Sequence, residues 1–329
     1  MDKKDLQKPS FTQFMTEKEL LVDIYGLINP TIEPLRLGID NYVYIINSEN
    51  KGKTILRLGN RGIGEAVKFE VTLIKHLIGD NVLVPKHIGT NDGRDYIVLP
   101  NQTTISMFSF VKGSSLDVEV DSKPSMDTVF QASSELGKMH KSTENLTIDT
   151  RGRRTIFTEH ERALIKKDTI SKHLEGGLKF VEELEEYLAW AKNFHSPEGV
   201  IHNDFDPENI MFNGDKVSAI IDFDWASVGP FIKDVGQALS LWSFRHGLEK
   251  HWDDVFNEFL RGYNSTSPHK IEINSSLYKW ICFGCLSDAS TFFADLVRGE
   301  NWPQEGEKIK RIFQCRSYQK FLYFKTLIN

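Results

Sequence analysis

The sequence predicts a two-lobed α+β protein: a small, mostly antiparallel β lobe with one inserted helix (residues 1–111) is followed by a larger, mainly helical lobe (residues 112–329). Short runs of β-like composition occupy the first third of the chain, whereas most of the remainder carries apolar residues at helical spacing. Gly113-Ser114-Ser115 lies where one pattern gives way to the other, and a polar segment containing glycine is typical of a boundary between lobes.

In the N-terminal lobe, Thr16 and Glu19 form a capping-box pattern that predicts the start of a first helix. The β-like runs that follow are Ile32–Leu37, Tyr42–Asn47, Thr54–Leu58, Tyr96–Leu99 and Ile105–Val111. Between the third and fourth runs, Val67, Val71 and Ile74 recur at helical spacing, which predicts the inserted helix.

In the C-terminal lobe, apolar residues recur at helical spacing in six segments, and short β pairs interrupt them around residues 200–229. The predicted helices are Ser125–Lys141, Thr158–His173, Leu178–Phe194, Lys233–Arg245, Trp252–Tyr263 and Ser275–Val297. The segment Asn145–Thr155 is predicted to be a loop, with arginines that face solvent.

Composition excludes several classes of partner. A net charge of −6 argues against nucleic-acid binding. The opening MDKKDLQKPS lacks the apolar core of a secretory signal. The sequence also contains no run of about 18 apolar residues, so no membrane span is predicted.

Cys282 and Cys285 are spaced to share a helix face, but the sequence offers no two further zinc ligands at suitable spacing. We therefore expect a buried, reduced cysteine pair in a cytoplasmic protein.

The segment Val200–Gly229 carries the strongest chemical signal, because six carboxylates and two asparagines typical of a catalytic loop, Asn203 and Asn209, surround short apolar runs. Asn209 follows Asp204 by five positions, and Asp222 ends the apolar run Ala219-Ile220-Ile221. Mg²⁺ usually takes one or two carboxylates and completes its shell with phosphate oxygens and water. Each residue alone could be a cap, a turn residue or a strand-end carboxylate. In this order and spacing they predict a base, Asp204, beside two magnesium ligands, Asn209 and Asp222.

Two motifs in this region resemble those of the aminoglycoside phosphotransferase and choline kinase superfamily, small-molecule kinases with a protein-kinase-like fold. The first is His202-Asn203-Asp204-Phe205 with Asn209, and the second is Asp222-Phe223-Asp224-Trp225-Ala226 followed by Asp234-Val235-Gly236. The resemblance extends over residues 15–325, although its specific motifs fall within about 35 residues.

The resemblance implies an enzyme that uses ATP and Mg²⁺ to phosphorylate a hydroxyl group of a small molecule. It implies that Asp204 is the catalytic base and that Asn209 and Asp222 bind magnesium. It also implies structural roles for His202 and Asp234, which would brace the loop and the following helix.

The nucleotide end of the resemblance is less regular. Such kinases place a lysine on the third strand, where this chain has Arg57, and Glu70 on the inserted helix is its expected partner. Phe110 and Val111 are expected to form the hinge that meets the adenine. The glycine-rich loop is reduced to Gly38-Ile39-Asp40-Asn41, with a single glycine.

The acceptor is predicted to carry an amine, because Asp206, Asp224 and Trp225 lie beside the catalytic residues in sequence. Carboxylates neutralise an ammonium group, and an aromatic face attracts it. Aminoglycosides, choline or ethanolamine, and homoserine are the acceptor classes that the resemblance allows. Tryptophans of the helical lobe could extend the pocket, although helical aromatics more often belong to the core: Trp242, Trp280 and Trp302.

Two other functions remain open. A protein Ser/Thr kinase of the same fold is one, but only Ser227–Lys233 separates the second motif from the next helix, and no A-P-E sequence ends an activation segment there. A nucleotide-binding pseudokinase is the other, and Arg57 with the reduced loop would suit it. The sequence predicts no oligomeric state.

Overall fold

A computed structural model describes residues 21–37, 41–59, 64–99, 103–116, 123–244, 251–296 and 311–328. The chain divides into two compact units, Met1–Lys112 with Thr147–Arg153, and Gly113–Leu146 with Arg154–Asn329. The predicted helix start at Thr16 and Glu19 and the loop residues 38–40 lie outside the described residues. Among the described helices, none is long and apolar enough to cross a membrane.

Six antiparallel strands form the sheet of the first unit in the part that is described. They are β1 (Thr31–Leu37), β2 (Asn41–Ser48), β3 (Gly52–Gly59), β4 (His87–Ile88), β5 (Ile97–Val98) and β6 (Thr104–Ser109). Their order is β1-β2-β3-β6-β4, and β5 also pairs with β6. All five predicted β-like runs are strands. The short β4 was not predicted, and the last run ends at Ser109, two residues before its predicted end.

The alternation of β3 sorts its side chains onto two faces. Leu56 and Leu58 are buried in a core with Ile46 and Met107, and the intervening Arg57 is only partly buried. The predicted inserted helix is present as α1 (Gly64–Gly79). Strand periodicity thus turns Arg57 away from the core residues on either side of it.

Residues 21–25 of the first unit are helical, and nine further helices are described, beginning with α1 in the same unit. Those of the second unit are α2 (Met126–Thr143), α3 (Thr158–Ile165), α4 (Lys167–His173), α5 (Gly177–Lys192), α6 (Phe231–Trp242), α7 (Asp253–Thr266), α8 (Ser275–Leu296) and α9 (Arg316–Lys325). The prediction of one helix over Thr158–His173 was wrong, because the chain leaves helical geometry at Lys166 (φ −103°, ψ 10°). Helix α9 was not predicted.

Two short antiparallel pairs interrupt these helices, as the sequence predicts. Strand β7 (Glu198–Ile201) pairs with β10 (Ser227–Pro230), and β8 (Ile210–Asn213) pairs with β9 (Lys216–Ile220). The chain enters the second unit at Gly113 (φ +133°), where an added Cβ would lie 2.1 Å from the Phe212 carbonyl oxygen. Only glycine fits this close approach to β8.

The predicted loop Asn145–Thr155 is a loop, but its arginines make different contacts. Arg151 is exposed and pairs with Asp149 at 2.5 Å. The Arg153 guanidinium lies 4.6 Å from the centroid of the Phe69 ring, and residues 147–153 belong to the first unit. The expectation that these arginines face solvent is therefore wrong for Arg153.

The centre of the second unit is apolar and rich in aromatic rings. Trp242 and Trp280 are fully buried there, so both belong to the core, while Trp302 lies outside the described residues. Cys282, Cys285 and Cys315 are all buried and free, as the sequence predicts for the first two. Burial raises the pKa of each of these thiols.

Candidate active site

The loop that follows β7 is held by a carboxylate at the start of α6. Asp234 is fully buried, and its Oδ2 accepts hydrogen bonds from His202 N (2.9 Å) and His140 Nε2 (2.9 Å). Its Oδ1 accepts a third hydrogen bond from Asn203 N (2.8 Å). Burial by itself would raise the pKa of Asp234, but the hydrogen bond from His140 and nearby positive charge lower it. An ionised carboxylate therefore fixes the backbone of residues 202 and 203.

Asp204 and Asn209, the predicted base and the first predicted metal ligand, are in direct contact. Asn209 Nδ2 donates to the Asp204 carbonyl oxygen (2.9 Å) and to its Oδ2 (3.1 Å). Burial, followed by the neighbouring carboxylates of Asp206, Asp288 and Asp222, raises the pKa of Asp204 well above its ordinary value. The hydrogen bond from Asn209 opposes that shift. Asp204 thus has the high proton affinity that suits a group accepting a proton.

Asp222, the second predicted metal ligand, is brought to the same place by backbone hydrogen bonds. Ile221 N donates to the Asn209 carbonyl oxygen (2.9 Å), and His202 Nε2 donates to the Ile221 carbonyl oxygen (3.0 Å). Burial lowers the pKa of His202, so its ring is neutral. Asp222 itself has left-handed backbone geometry (φ 64°, ψ 70°), which aspartate adopts more readily than most residues. The end of β9 and the loop after β7 are therefore tied together.

The two predicted metal ligands present oxygen donors suited to a hard cation. Both hydrogen bonds described for the Asn209 side chain use Nδ2, so Oδ1 is the atom that can bind a metal. Across the part of the chain that is described, no group of three or more His, Cys, Asp or Glu residues is placed to hold a metal ion. Two protein ligands fit Mg²⁺, which fills its remaining positions with phosphate oxygens and water.

Of the predicted acceptor residues, Asp206 is engaged with the loop itself. Its Oδ1 accepts a hydrogen bond from Glu208 N (2.9 Å) and caps the 3₁₀ turn Pro207–Asn209, and burial raises its pKa. Asp224 and Trp225 lie in the 3₁₀ turn Phe223–Trp225 directly after Asp222.

One face of the Trp225 ring already contacts a cation. The Arg154 guanidinium carbon lies 4.3 Å from the ring centroid, and Arg154 also pairs with buried Glu159 at 3.0 Å. The Trp225 carbonyl oxygen accepts a hydrogen bond from Asn203 Nδ2 (3.0 Å). Arg154 was not predicted to lie at this site, and its only signal in the sequence is its place among the loop arginines.

Three further residues near the loop were also missed. Lys233 is 1% exposed, and its ammonium donates to Asn203 Oδ1 and to Gln237 Oε1. Gln237 Nε2 donates in turn to Asp288 Oδ1 (3.0 Å) on α8. Burial lowers the pKa of Lys233 to about 8 and raises that of Asp288 to about 6. The position of Lys233 directly before the motif residue Asp234 could have indicated that it lies near the loop. No pattern in the sequence indicated this for Asp288.

In the first unit, the predicted ion pair is present. Arg57 Nη1 lies 2.6 Å from Glu70 Oε1, with Arg57 partly buried and Glu70 buried. Phe110 and Val111 follow the end of β6 and immediately precede the boundary after Lys112. The Lys53 ammonium lies 5.5 Å from the centroid of the Phe110 ring.

Comparison with known proteins identifies the family to which this chain belongs. The sequence profile of the phosphotransferase enzyme family matches residues 31–269. Homoserine kinase from Zymomonas mobilis subsp. mobilis is 25% identical over 271 residues, covering 80% of this chain and 78% of that protein.

Two solved structures share the fold. Amicoumacin kinase hAmiN, solved with AMP-PNP, Ca²⁺ and Ami, has a TM-score of 0.69 and 18% identity, with 96% of this chain and 92% of that chain covered. Choline kinase from Cryptosporidium parvum Iowa II has a TM-score of 0.62 and 12% identity, with coverage of 95% and 94%.

The chain therefore belongs to the phosphotransferase enzyme family. It is a kinase that phosphorylates a hydroxyl group, and the predicted resemblance and the predicted two-lobed α+β fold are both confirmed.

Proposed function

We propose that this enzyme transfers the γ-phosphoryl group of ATP, with Mg²⁺, to the hydroxyl group of a small amine-bearing acceptor, and that homoserine is the first candidate. The observation that carries the proposal is the contact between Asp204 and Asn209 with Asp222 tied beside them. A base next to two oxygen ligands is the arrangement that phosphoryl transfer requires.

Asp204 would orient the acceptor hydroxyl and accept its proton as the new bond to phosphorus forms. Asn209 and Asp222 would hold Mg²⁺, which when bound neutralises charge on the phosphate oxygens. His202 and Asp234 would keep these groups in place, since the hydrogen bonds of Asp234 fix the loop and that of His202 fixes the strand end before Asp222.

In the first unit, Arg57 would bind the phosphates of ATP. A guanidinium has five N–H donors, so it can bind a phosphate oxygen while it remains paired with Glu70. Glu70 would then orient Arg57, and Phe110 and Val111 would meet the adenine through backbone groups.

Charge around Asp204 supports an acceptor that carries an amine. The carboxylates of Asp206, Asp222 and Asp288 all raise the pKa of Asp204, so a cation bound among them would relieve their repulsion. Asp224 follows Asp222 in the same turn and would contribute a further carboxylate. Mg²⁺ supplies one such cation, and an ammonium group of the acceptor would supply another.

Two observations favour homoserine over choline within that class. The relative from Zymomonas mobilis is a homoserine kinase and matches most of this chain. Homoserine also carries a carboxylate, and Arg154 places a guanidinium against Trp225, three residues after Asp222. That guanidinium can bind a carboxylate in addition to Glu159, whereas choline has no group for it.

The second unit does not support the alternative that the protein is a protein Ser/Thr kinase. Residues 227–233, where an activation segment would begin, form β10 and the first turn of α6.

The proposal is tested by measuring ADP release from ATP with homoserine, choline, ethanolamine and kanamycin, with and without Mg²⁺. We expect homoserine to give ADP release that depends on both acceptor and metal, with phosphohomoserine identified by mass spectrometry. Transfer to choline alone would contradict the assignment of the acceptor. The absence of acceptor-dependent release in every case, with ATP still bound, would favour the pseudokinase.

A further inference from the structure

Lys233 is a cation enclosed within a group of acidic residues. It is among the largest fully buried side chains described, and its ammonium donates to two amide oxygens, Asn203 Oδ1 and Gln237 Oε1. Burying an ammonium is unfavourable unless hydrogen bonds and opposite charge compensate for the water it loses. An apolar side chain would fill this position at lower cost, so the charge of Lys233 indicates a role beyond packing.

Asn203, the partner of Lys233, has an uncommon backbone conformation. Its φ is +65°, in the left-handed region, which asparagine adopts more readily than most residues but less readily than glycine. Three hydrogen bonds hold it there: its N–H donates to Asp234, its Nδ2 donates to the Trp225 carbonyl oxygen, and its Oδ1 accepts from Lys233. The residue that follows it is Asp204.

The opposite side of Lys233 is fixed through a second chain of contacts. Gln237 accepts a hydrogen bond from Lys233 and donates one to Asp288 on α8. Helices α6 and α8 approach closely at this point, because a Cβ added at Gly284 would lie 3.0 Å from Gln237 Cβ. The ammonium therefore connects these two helices to the loop.

We infer that Lys233 is a positioning residue for phosphoryl transfer: its ammonium holds Asn203 in the left-handed conformation and thereby fixes the orientation of Asp204. The inference rests on the proposed function, since it takes Asp204 to be the base. Lys233 acts through Asn203 and contacts neither of the predicted metal ligands by any hydrogen bond described.

The charge of Lys233 depends on the groups that face it from the surrounding elements. Burial lowers its pKa, whereas Asp234 on α6, Asp288 on α8 and Asp204 in the loop raise it, with a net value of about 8. His160 on α3 also faces it, but burial lowers the pKa of His160 to about 3, so that ring stays neutral near pH 8. Lys233 accordingly loses its proton as pH rises through about 8, and the hold on Asn203 weakens.

The test compares Lys233→Met, Lys233→Arg, Asn203→Gly and the double variant Lys233→Met/Asn203→Gly. We expect kcat to fall about 10- to 100-fold in Lys233→Met, as for the loss of a hydrogen bond to a charged group, with KM for ATP nearly unchanged. Wild-type kcat should decline above about pH 8, and Lys233→Arg should shift that decline to higher pH. Lys179→Met, at a lysine 61% exposed on α5, is the matched control with unchanged kcat.

The double variant distinguishes positioning from a general loss of stability. Glycine adopts positive φ without strain, so Asn203→Gly removes the two side-chain hydrogen bonds, from Lys233 and to the Trp225 carbonyl oxygen, without a clash in the backbone. The double variant should then be no slower than Asn203→Gly alone, because the link to Lys233 is already absent in Asn203→Gly. Equal kcat in Lys233→Met and wild type, or multiplying defects in the double variant, would overturn the inference.

If Lys233→Met does not fold, Asn203→Gly alone decides, since a decline of kcat above about pH 8 like that of the wild type would show that Lys233 does not act through the Asn203 side chain. The rates are measured with whichever acceptor the wild type uses and also as ADP release without acceptor. Failure of the homoserine proposal appears as a wild type that is inactive with homoserine. Failure of the Lys233 inference appears as equal rates of wild type and variant under both conditions.

Discussion

The two units hold their functional charges in different ways. In the first unit, the guanidinium proposed to bind phosphate belongs to an ion pair, Arg57–Glu70, formed by a strand and the helix that follows it. The second unit has a network in which Asp234, Lys233 and Asp204 lie on or beside one loop and are joined to two further helices through His140 and Asp288. A substitution in an isolated ion pair affects only that pair, whereas a substitution in a network disturbs every residue that is connected to it. Substitutions in the two units test that difference.

The largest expected effect is at Asp204. Asp204→Asn removes the group that accepts the proton but keeps its size, so kcat should fall by about 10²- to 10⁴-fold. The dissociation constant for ATP should stay within a few-fold, because Asp204 acts on the acceptor. Single-turnover kinetics and ATP titration measure the two quantities. A variant that kept more than about a tenth of wild-type turnover would show that another group is the base.

Asp234→Asn should have the next largest effect, and it should appear in stability. An amide cannot accept all three hydrogen bonds that Asp234 accepts, so we expect a loss of about 3 kcal/mol in the free energy of unfolding. Because the pKa of Asp234 is lowered in the folded protein, its contribution is present above its ordinary pKa of 3.8 and is lost as pH falls through the lower folded value.

Urea unfolding of Asp234→Asn at pH 7 and at pH 3, below the ordinary pKa of 3.8, checks this prediction, with Asp80→Asn on the surface of the first unit as control. The difference in stability between wild type and Asp234→Asn should be smaller at the lower pH. An equal loss at both values would mean that the carboxylate charge does not stabilise the fold.

In the first unit, Arg57→Met should raise KM for ATP by about tenfold or more, as expected when a charge-assisted hydrogen bond to phosphate is lost. Arg57→Lys should recover part of this loss, because a lysine keeps the charge but not the fork of donors. Initial-rate kinetics at saturating acceptor measure the effect. If Arg57→Met lowered only the melting temperature and left KM unchanged, Arg57 would be a structural residue, and Lys53 would become the better candidate for phosphate binding.

The smallest expected effect is at Asp224. Asp224→Asn should raise KM for the acceptor by roughly two- to fivefold, since a partly exposed charge pair contributes about 1 kcal/mol or less, while KM for ATP changes little. Varying each substrate at saturation of the other separates the two constants. A collapse of ATP binding with intact acceptor affinity would instead make Asp224 a second metal ligand.

The spacing of residues in the sequence was enough to predict contacts between elements that are adjacent along the chain. The two-residue period of β3 separates Arg57 from Leu56 and Leu58, and the helix that follows brings Glu70 to it. Asp204 and Asn209 likewise lie within one loop, so their contact follows from their spacing in the sequence. These features follow from the geometry of strands and turns, so the sequence alone was enough to predict them.

The contacts that were not predicted join elements that are far apart in the sequence. Gln237 and Asp288 are 51 residues apart and meet only because α6 and α8 cross closely at glycine. Arg154 reaches Trp225 from a loop whose charges gave no sign of a partner. The break between α3 and α4 at Lys166 was missed because apolar spacing continues across it.

The positions of the cysteines in this chain allow the opening of the second unit to be measured separately. All three thiols lie in the second unit, and each is buried with a raised pKa, so a thiol-specific reagent reaches them only when that unit opens. The rate of labelling by such a reagent therefore reports the opening of the catalytic unit without interference from the β-sheet unit. Each variant at Asp204, Lys233 or Asp234 can be assigned a local stability in this way, with the native thiols and without an engineered cysteine.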